Sequence, residues 1–434
     1  MPKSKNWKPK SKNFPSNPAM YGRKKHIFTA ALFLAAVFIC QGGEVLNRAR
    51  SGDVPSQLQL AGEYFFGRNR QQNLTLALYW FRKAALAGNP QAQYNFGLCM
   101  LNGWGCEKNP AVAMYFFHKA MQQNLNKAAI QYAKLLFSGV EGGTFENENL
   151  PPVAADPARS IEILRPIANA GDNDARLILA KILFTDPVTH GRELRELLTA
   201  YVGSAADPDS EALIIYAACL RSGFGGFIPD PAAGFAILER AAAKNHPEAM
   251  AQLAEMLFNG FGVPADRQRA LALYDAAIKL GSPRALTDMG MLKLAGFMTA
   301  HDPAGAFQYF LQAAEKDYPP AMRKLGDCYA AGIGTAGDNA KAIQYYMQAA
   351  EAGDAQAAFI LGESFRDGDL TGKNPAMAFN FFQLAARAGF PPALRETGKA
   401  LLYGHGVAAD QTLGMELLRR AAEAGDREAA AFFR

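Results

Sequence analysis

Residues 325–354 read LGDCYAAGIGTAGDNAKAIQYYMQAAEAGD, and the pattern of this stretch decides the fold because it returns along most of the chain. A small residue, Gly326, lies near its start. Gly332 follows six residues later, and glycine readily adopts the left-handed backbone that ends a helix. Asp338 comes next, and a short acceptor side chain caps the free amides at a helix start. The stretch therefore predicts two short helices joined by a glycine turn.

The same three signals recur at a nearly fixed spacing. The small residue, which we call the ladder position, returns every 36 or 37 residues apart from one interval of 47 residues; it is Ala61, Gly97, Ala133, Ala180, Ala217, Ala254, Gly290, Gly326, Gly362 and Gly398. The turn glycine is Gly67, Gly103, Gly139, Gly223, Gly260, Gly296, Gly332, Gly368 or Gly404. The helix-start residue is Asn73, Asn109, Asp156, Asp230, Asp266, Asp302, Asp338, Asn374 or Asp410. Such self-similarity predicts stacked units that each pack only on their neighbours.

Two parts of the quoted stretch carry a family resemblance. Leu325-Gly326-x-x-Tyr329-x-x-Gly332-x-Gly334 and Ala342-x-x-Tyr345-Tyr346-x-x-Ala349-Ala350-x-x-Gly353 closely resemble the Sel1-like repeat family, a relative of the tetratricopeptide repeats. The resemblance covers residues 56–434. It implies an all-α, right-handed superhelical solenoid of about ten helix-turn-helix repeats whose concave face binds a protein or peptide. Family members serve as adaptors in assembly, secretion and signalling.

Two neighbouring units within residues 126–208 depart from the pattern. The unit around Ala180 lacks the glycine turn, and the unit before it carries an insertion within residues 140–155. Insertions in repeat proteins often form loops on the binding face, although a tolerated surface loop is an equal alternative. We expect a local change in superhelical curvature between residues 56–150 and 209–434.

The amino-terminal segment differs from the rest in charge and hydropathy. The chain has a formal net charge of +5, whereas residues 1–26 hold eight basic residues and no acidic one, so the remainder carries −3. That remainder lacks the basic surplus of a nucleic-acid-binding protein. We interpret residues 1–26 as a disordered basic segment, residues 27–43 as one short hydrophobic helix and residues 44–55 as a linker.

Residues 27–40 are an uncharged apolar run that would span only ~21 Å as a helix. We favour an uncleaved signal anchor in a bacterial inner membrane, with the basic segment in the cytoplasm and the repeats in the periplasm. The alternative is a cleaved signal peptide, which would release a soluble periplasmic protein. It is less favoured because the match to a cleavage site is weak. A buried core helix is a third interpretation, disfavoured because the run shows no polar alternation.

The sequence holds no recognisable catalytic or cofactor motif. Residues 332–337 match the dinucleotide pattern Gly-x-Gly-x-x-Gly, but a helix precedes them and the register places them in a turn. The six histidines are scattered singly, and no serine has a lysine three residues later. Cys99, Cys219 and Cys328 follow the ladder register and are interpreted as packing residues. We therefore expect a non-enzymatic protein without cofactor or metal, a cell-wall hydrolase being the disfavoured alternative.

The resemblance also selects candidate partner-binding residues. If the first helix of each unit lines the concave face, the residues one position after and three positions before the ladder position point inward. These residues are Tyr94, Leu98, Glu255, Arg323, Asp327, Phe359, Glu363, Arg395 and Lys399. Their mixture of rings and charges suits a peptide with apolar anchors and polar specificity, while a merely solvated face is the alternative for any one of them.

Overall fold

The computed structural model describes residues 42–146, 148–204, 207–297 and 301–433. The basic segment, residues 1–26, therefore lies outside the described residues. Of the expected helix over residues 27–43, only residues 42 and 43 are described. The helices are α1 (Gly42–Arg50), α2 (Val54–Phe66), α3 (Leu74–Leu86), α4 (Pro90–Asn102), α5 (Pro110–Met121), α6 (Asn126–Ser138), α7 (Pro157–Asn169), α8 (Asn173–Thr185), α9 (Pro187–Ser204), α10 (Ser210–Ser222), α11 (Pro231–Ala242), α12 (Pro247–Asn259), α13 (Arg267–Lys279), α14 (Pro283–Ala295), α15 (Pro303–Ala314), α16 (Pro319–Ala331), α17 (Asn339–Glu351), α18 (Ala355–Asp367), α19 (Pro375–Arg387), α20 (Pro391–Tyr403), α21 (Gln411–Glu423) and α22 (Arg427–Ala431). Strands β1 (Gly143–Phe145) and β2 (Glu148–Leu150) form one antiparallel hairpin.

The predicted starts of the second helices are confirmed. Each of the nine Asp and Asn residues singled out by the sequence accepts a hydrogen bond from the backbone N–H three residues further on, as Asp338 does from Lys341 at 3.1 Å. These bonds satisfy amides that the first helical turn leaves unpaired. The predicted ends hold as well, since Gly332 caps α16 with a left-handed φ of 67°.

The small ladder residue makes room for a ring from the second helix of the same repeat. A Cβ added at Gly326 would lie 2.5 Å from the ring of Tyr346, and one added at Gly362 would lie 2.5 Å from the ring of Phe382. Real Cβ atoms do not approach carbon that closely, so in these two repeats the helix pair closes only over glycine. The ladder position thus sets the distance between the two helices of a repeat.

The chain divides into two compact units between Ile182 and Leu183. In the first unit, residues 44–55 are not the expected linker, because α1 occupies most of them and packs on α2. Val45 and Ala49 lie four residues apart on one helical face and are 5% and 1% exposed. Burial of that apolar face explains why the segment is helical rather than extended.

The insertion folds back onto the first unit as the β1–β2 hairpin. The Phe145 ring packs edge-on against Phe116 at 5.2 Å and against Phe96 at 6.0 Å between ring centroids. Glu146, at the hairpin turn, forms an ion pair with Arg82 of α3, whose guanidinium also lies 5.8 Å from the Phe145 ring. The hairpin is therefore anchored to the first unit by the packing of the Phe145 ring and by the ion pair between Glu146 and Arg82.

In the second unit, a long helix replaces the glycine turn that the sequence lacks after Ala180. Helix α9 has 18 residues, and its side chains Leu194 and Leu198 are completely buried. Its Gly191 meets the next turn so closely that an added Cβ would lie 2.6 Å from the Cα of Gly225. From α10 onward the α-helices follow one another in pairs, with a short 3₁₀ helix (Phe224–Gly226) in the connection between α10 and α11.

Candidate protein-binding face

The candidate face in the second unit is formed by the first helices of its repeats, α12, α14, α16, α18 and α20. We call their partly exposed polar side the first-helix face. Four predicted residues, one position after the ladder, lie on it and are partly exposed: Glu255, Asp327, Glu363 and Lys399. Four of the nine predicted residues therefore share one repeated, partly exposed position in the second unit.

These four side chains are held by neighbours rather than projecting freely. Glu255 lies 2.9 Å from Arg284 and 3.6 Å from Arg221, so it joins three successive first helices. Asp327 accepts the hydroxyl of Tyr346 at 2.9 Å and pairs with Lys324 at 3.0 Å. Fixed side chains lose little conformational entropy on binding, which suits a recognition surface.

The predicted residues three positions before the ladder have a different environment. Arg323 donates to Asp354 at 3.2 Å, and Asp354 is the residue that caps the next first helix, α18. Arg395 donates in the same way to Asp426 at 2.7 Å, the cap of α22. These arginines connect each first helix to the start of the next, a role that the sequence analysis missed.

Phe359, the other predicted residue three positions before the ladder in the second unit, makes an equivalent contact through apolar groups. The Phe359 ring packs at 5.4 Å against Phe390, the capping residue of α20, which has no side-chain cap. Phe390 lies 31 residues after Phe359, the separation that also joins each arginine to its capping aspartate. Pairing at this separation was the signal in the sequence that could have identified these contacts.

The two predicted residues of the first unit lie in its core. Tyr94 is 3% and Leu98 is 5% exposed, and the Tyr94 ring lies 5.9 Å from that of Phe117. Burial raises the pKa of Tyr94 to about 12. Because neither side chain offers appreciable surface, we leave both out of the proposed face.

A pocket opens on the first-helix face between α18, α19 and α20. Its volume is about 590 Å³, and it includes the predicted residue Lys399. Phe379 and Phe382 form its apolar wall, while Tyr403 and His405 stand at its rim with ring centroids 5.8 Å apart. Tyr403 is 58% exposed, so the pocket joins a buried apolar wall to accessible polar groups.

One carboxylate organises the charges of this pocket. Glu396 lies 2.9 Å from Arg395, 3.1 Å from Lys399 and 3.2 Å from Arg366. Burial opposes its ionisation, but hydrogen bonds from Arg395 and Lys399 prevail and hold the pKa of Glu396 below its usual value. Glu396 is therefore ionised and fixes three cations around the pocket.

A second charged cluster lies further toward the amino terminus of the same face. Arg284 pairs with Glu248 at 3.2 Å and with Glu255 at 2.9 Å, while Asp288 lies 3.6 Å from it. Burial raises the pKa of Asp288 to about 7, with Arg284 opposing and the two glutamates adding to the shift. This cluster is accordingly sensitive to pH near neutrality.

Within residues 42–433 as far as they are described, no three His, Cys, Asp or Glu side chains are grouped to hold a metal ion. Cys99, Cys219 and Cys328 are buried as predicted, and burial raises their pKa values to about 12, 12 and 11. These thiols are protonated packing residues at neutral pH. None of the helices in the described ranges combines the length and the apolar composition that a membrane span requires.

Paired helices closed by a glycine turn and stacked repeat on repeat define a helical-repeat protein of the tetratricopeptide type. The family model described as the Sel1 repeat matches residues 54–89, 90–125, 210–246, 247–282, 283–318, 319–354, 355–390 and 391–426. These matches cover well over half of the sequence, and the chain belongs to the Sel1 repeat family. They omit the stretch in which the irregular units were predicted. Sel1 repeat proteins generally mediate protein–protein interactions.

Solved structures with a similar fold come from several bacteria. The chain is similar to c5321, a protective antigen of uropathogenic Escherichia coli with an SLR fold, at 22% identity over 90% of this chain and 89% of that one, with a TM-score of 0.47. A Sel1 repeat protein of Oxalobacter formigenes is 27% identical over 55% of this chain and 99% of its own, with a TM-score of 0.44. The immunity protein Pa5087 of Pseudomonas aeruginosa is 23% identical over 51% of this chain and 84% of its own, with a TM-score of 0.41. No curated protein sequence matches the chain.

Proposed function

We propose that this protein is a non-enzymatic adaptor that binds a partner protein on the first-helix face of its second unit. The observation that carries the proposal is the pocket at α18–α20, where an apolar wall lies next to oriented charges. Tyr403, which is 58% exposed at the rim of the pocket, offers a ring surface for an apolar side chain of the partner. Lys399 makes one 3.1 Å contact with Glu396, and an ammonium has three donor hydrogens, so it retains donors for an acceptor of the partner.

The composition of the pocket resembles that of energetically dominant sites in protein interfaces. Such sites combine a central apolar contact with aromatic or charged side chains that are already fixed in place. The exposed ring of Tyr403 supplies the first feature, and the group around Glu396 supplies the second. The remainder of the face, including Glu255 and Asp327, contributes charge complementarity.

For localisation, we propose a single-pass tether in a bacterial inner membrane with the repeats in the periplasm, where the adaptor serves envelope assembly, secretion or signalling. The support is the apolar run of residues 27–40 behind a basic segment. Amino-terminal sequencing of the purified protein and alkaline extraction of membranes test this proposal. An intact amino terminus in the membrane pellet agrees with the tether, whereas a new amino terminus after residue 40 with a soluble chain supports the secreted alternative.

The binding proposal is tested by quantitative affinity purification of the full-length protein. We expect Lys399→Ala combined with Tyr403→Ala to release the partners held by the wild type, because the pair removes a donor and a rim ring without touching an inter-repeat contact of Arg395. The matched control is Lys341→Ala combined with Met347→Ala, two exposed side chains of the second helix α17. Equal loss or equal retention of partners in both double variants would refute the assignment of the face.

A further inference from the structure

A second surface of the second unit emerges from a contact between successive turns. The residue seven positions after the ladder packs on the residue four positions after the ladder of the preceding repeat. Three consecutive turns show this contact: Phe224 on Phe184 at 5.1 Å, Phe261 under Arg221 at 5.9 Å, and Phe297 on Phe258 at 6.1 Å. The repeat register thus places one phenylalanine from each of three turns along the same edge.

Each of these phenylalanines packs on the preceding repeat with one part of its ring and exposes another part to solvent. Phe224, Phe261 and Phe297, which we call the edge row, are 38%, 43% and 62% exposed, and Ile228 in the first of these turns is 86% exposed. Phe224 begins a short 3₁₀ helix (Phe224–Gly226), and Ile228, Phe261 and Phe297 lie in connections between α-helices. A large, partly exposed ring therefore recurs in three successive turns, and Ile228 adds a further exposed apolar side chain after the first of them.

Cations without acidic partners border the edge row. Arg267 lies 5.3 Å from the ring of Phe258, and Arg195 donates to the backbone carbonyl of Gly226 at 2.7 Å. Neither forms an ion pair with a carboxylate in the described part of the chain. The nearby Asp266 uses its carboxylate to cap α13. The edge row is therefore flanked by two positive groups available to an external anion.

We propose that the edge row docks onto the headgroup region of a lipid bilayer, with its rings among the acyl-chain ends and Arg195 and Arg267 facing lipid phosphates. Aromatic side chains favour this interfacial region, and arginine next to them pairs with anionic headgroups. The occupant follows from the chemistry of the turn tips, which combine single exposed rings with unpaired arginines.

This inference rests on the membrane tether of the proposed function. The apolar run ends at Cys40, and the described structure begins at Gly42, so little chain separates a tether from the folded part. A tether would hold the protein at the bilayer, and the edge row would then add lipid contacts of its own.

The test uses single tryptophan variants of the full chain with vesicles of phosphatidylcholine and phosphatidylglycerol, some carrying brominated acyl chains. Phe261→Trp and Phe297→Trp report from the edge row, and Met347→Trp, at a 37% exposed position on α17, is the control. After subtraction of the parent emission, we expect bromolipid to quench the tryptophans at positions 261 and 297 and to leave the one at position 347 unchanged. Phosphatidylcholine alone should give weaker quenching, because it lacks the anionic lipid that the arginines favour.

The outcomes separate the edge row from the tether. Vesicle binding without quenching at positions 261 and 297 overturns the lipid docking while the tether stands, and failure to bind vesicles overturns both. Equal quenching at position 347 also overturns the assignment, because it would show no preferred face. A photo-crosslinking residue at position 297 that joins a protein instead of a lipid in native membranes would replace the bilayer with a protein partner and refute the proposal.

Discussion

The contact between Arg323 and Asp354 gives the sharpest test of how the repeats are joined. Asp354 has two functions in one carboxylate: one oxygen caps α18 by accepting the Ala357 amide at 2.8 Å, and the other accepts from Arg323 of the preceding first helix at 3.2 Å. The two side chains are only 14% and 8% exposed. Replacing Asp354 therefore breaks a helix start and an inter-repeat connection together.

The magnitude can be divided between these two functions. Loss of a helix cap costs ~1 kcal/mol. Loss of a hydrogen bond to a charged group costs ~1.5–3 kcal/mol. Asp354→Ala should therefore lower the free energy of unfolding by about 2.5–4 kcal/mol. Asp354→Asn retains the cap acceptor and should lose only the charged contact. The exposed pair Lys341–Asp338, at 3.3 Å, supplies the control, and Lys341→Met should cost ~0.5 kcal/mol or less.

The assay combines urea unfolding with hydrogen exchange, because repeat proteins can open locally before they unfold. A double-mutant cycle with Arg323→Met and Asp354→Asn should give a coupling energy of ~1–2 kcal/mol. We also expect faster exchange of the first amides of α18 in Asp354→Ala than in Asp354→Asn. Additive single effects in the cycle, or an Asp354→Ala variant as stable as Lys341→Met, would refute the proposed connection between repeats.

Three further predictions concern the core, the charged cluster and the insertion. Gly362→Ala forces a Cβ against the Phe382 ring and should lower the melting temperature. The free energy of unfolding should fall by ~1 kcal/mol once the higher helix propensity of alanine is included. The control is Gly372→Ala, whose added Cβ would meet no atom within 4 Å and should leave the melting temperature unchanged. The pKa of Asp288 is raised to about 7, so its ionisation costs stability progressively as the pH rises from about 4 to about 7. Asp288→Asn should therefore raise the melting temperature more at pH 8 than at pH 5, and equal shifts at both pH values would contradict this. Phe145→Ala should free the hairpin, at a cost of ~2 kcal/mol, and limited proteolysis should then cut within residues 143–150, while an uncut hairpin would show that the ring does not anchor it.

Much of the fold could be predicted because its signals are local and repeated. A glycine that ends a helix, as Gly332 does, and an aspartate that begins one, as Asp338 does, act within a few residues of themselves. Ten imperfect copies then reveal each position by its spacing. The irregular part was less predictable, since the docking of Phe145 onto Phe116 depends on a contact that occurs once in the chain. A unique contact leaves no periodic trace in a single sequence.

The candidate face could be predicted only in part, for a physical reason that concerns the two predicted positions of each first helix. The position after the ladder, as in Asp327, remains on the partly exposed surface. The position three residues before it, as in Arg323, meets the cap of the next first helix. Direction from the helix axis does not distinguish them, because what covers a side chain is decided by the following repeat. Arg323 pairs with Asp354, and Phe359 packs on Phe390, so the residue three positions before the ladder matches the chemistry of the residue that caps the next first helix. Partner specificity in the second unit should therefore depend on the residue one position after the ladder and on the turns.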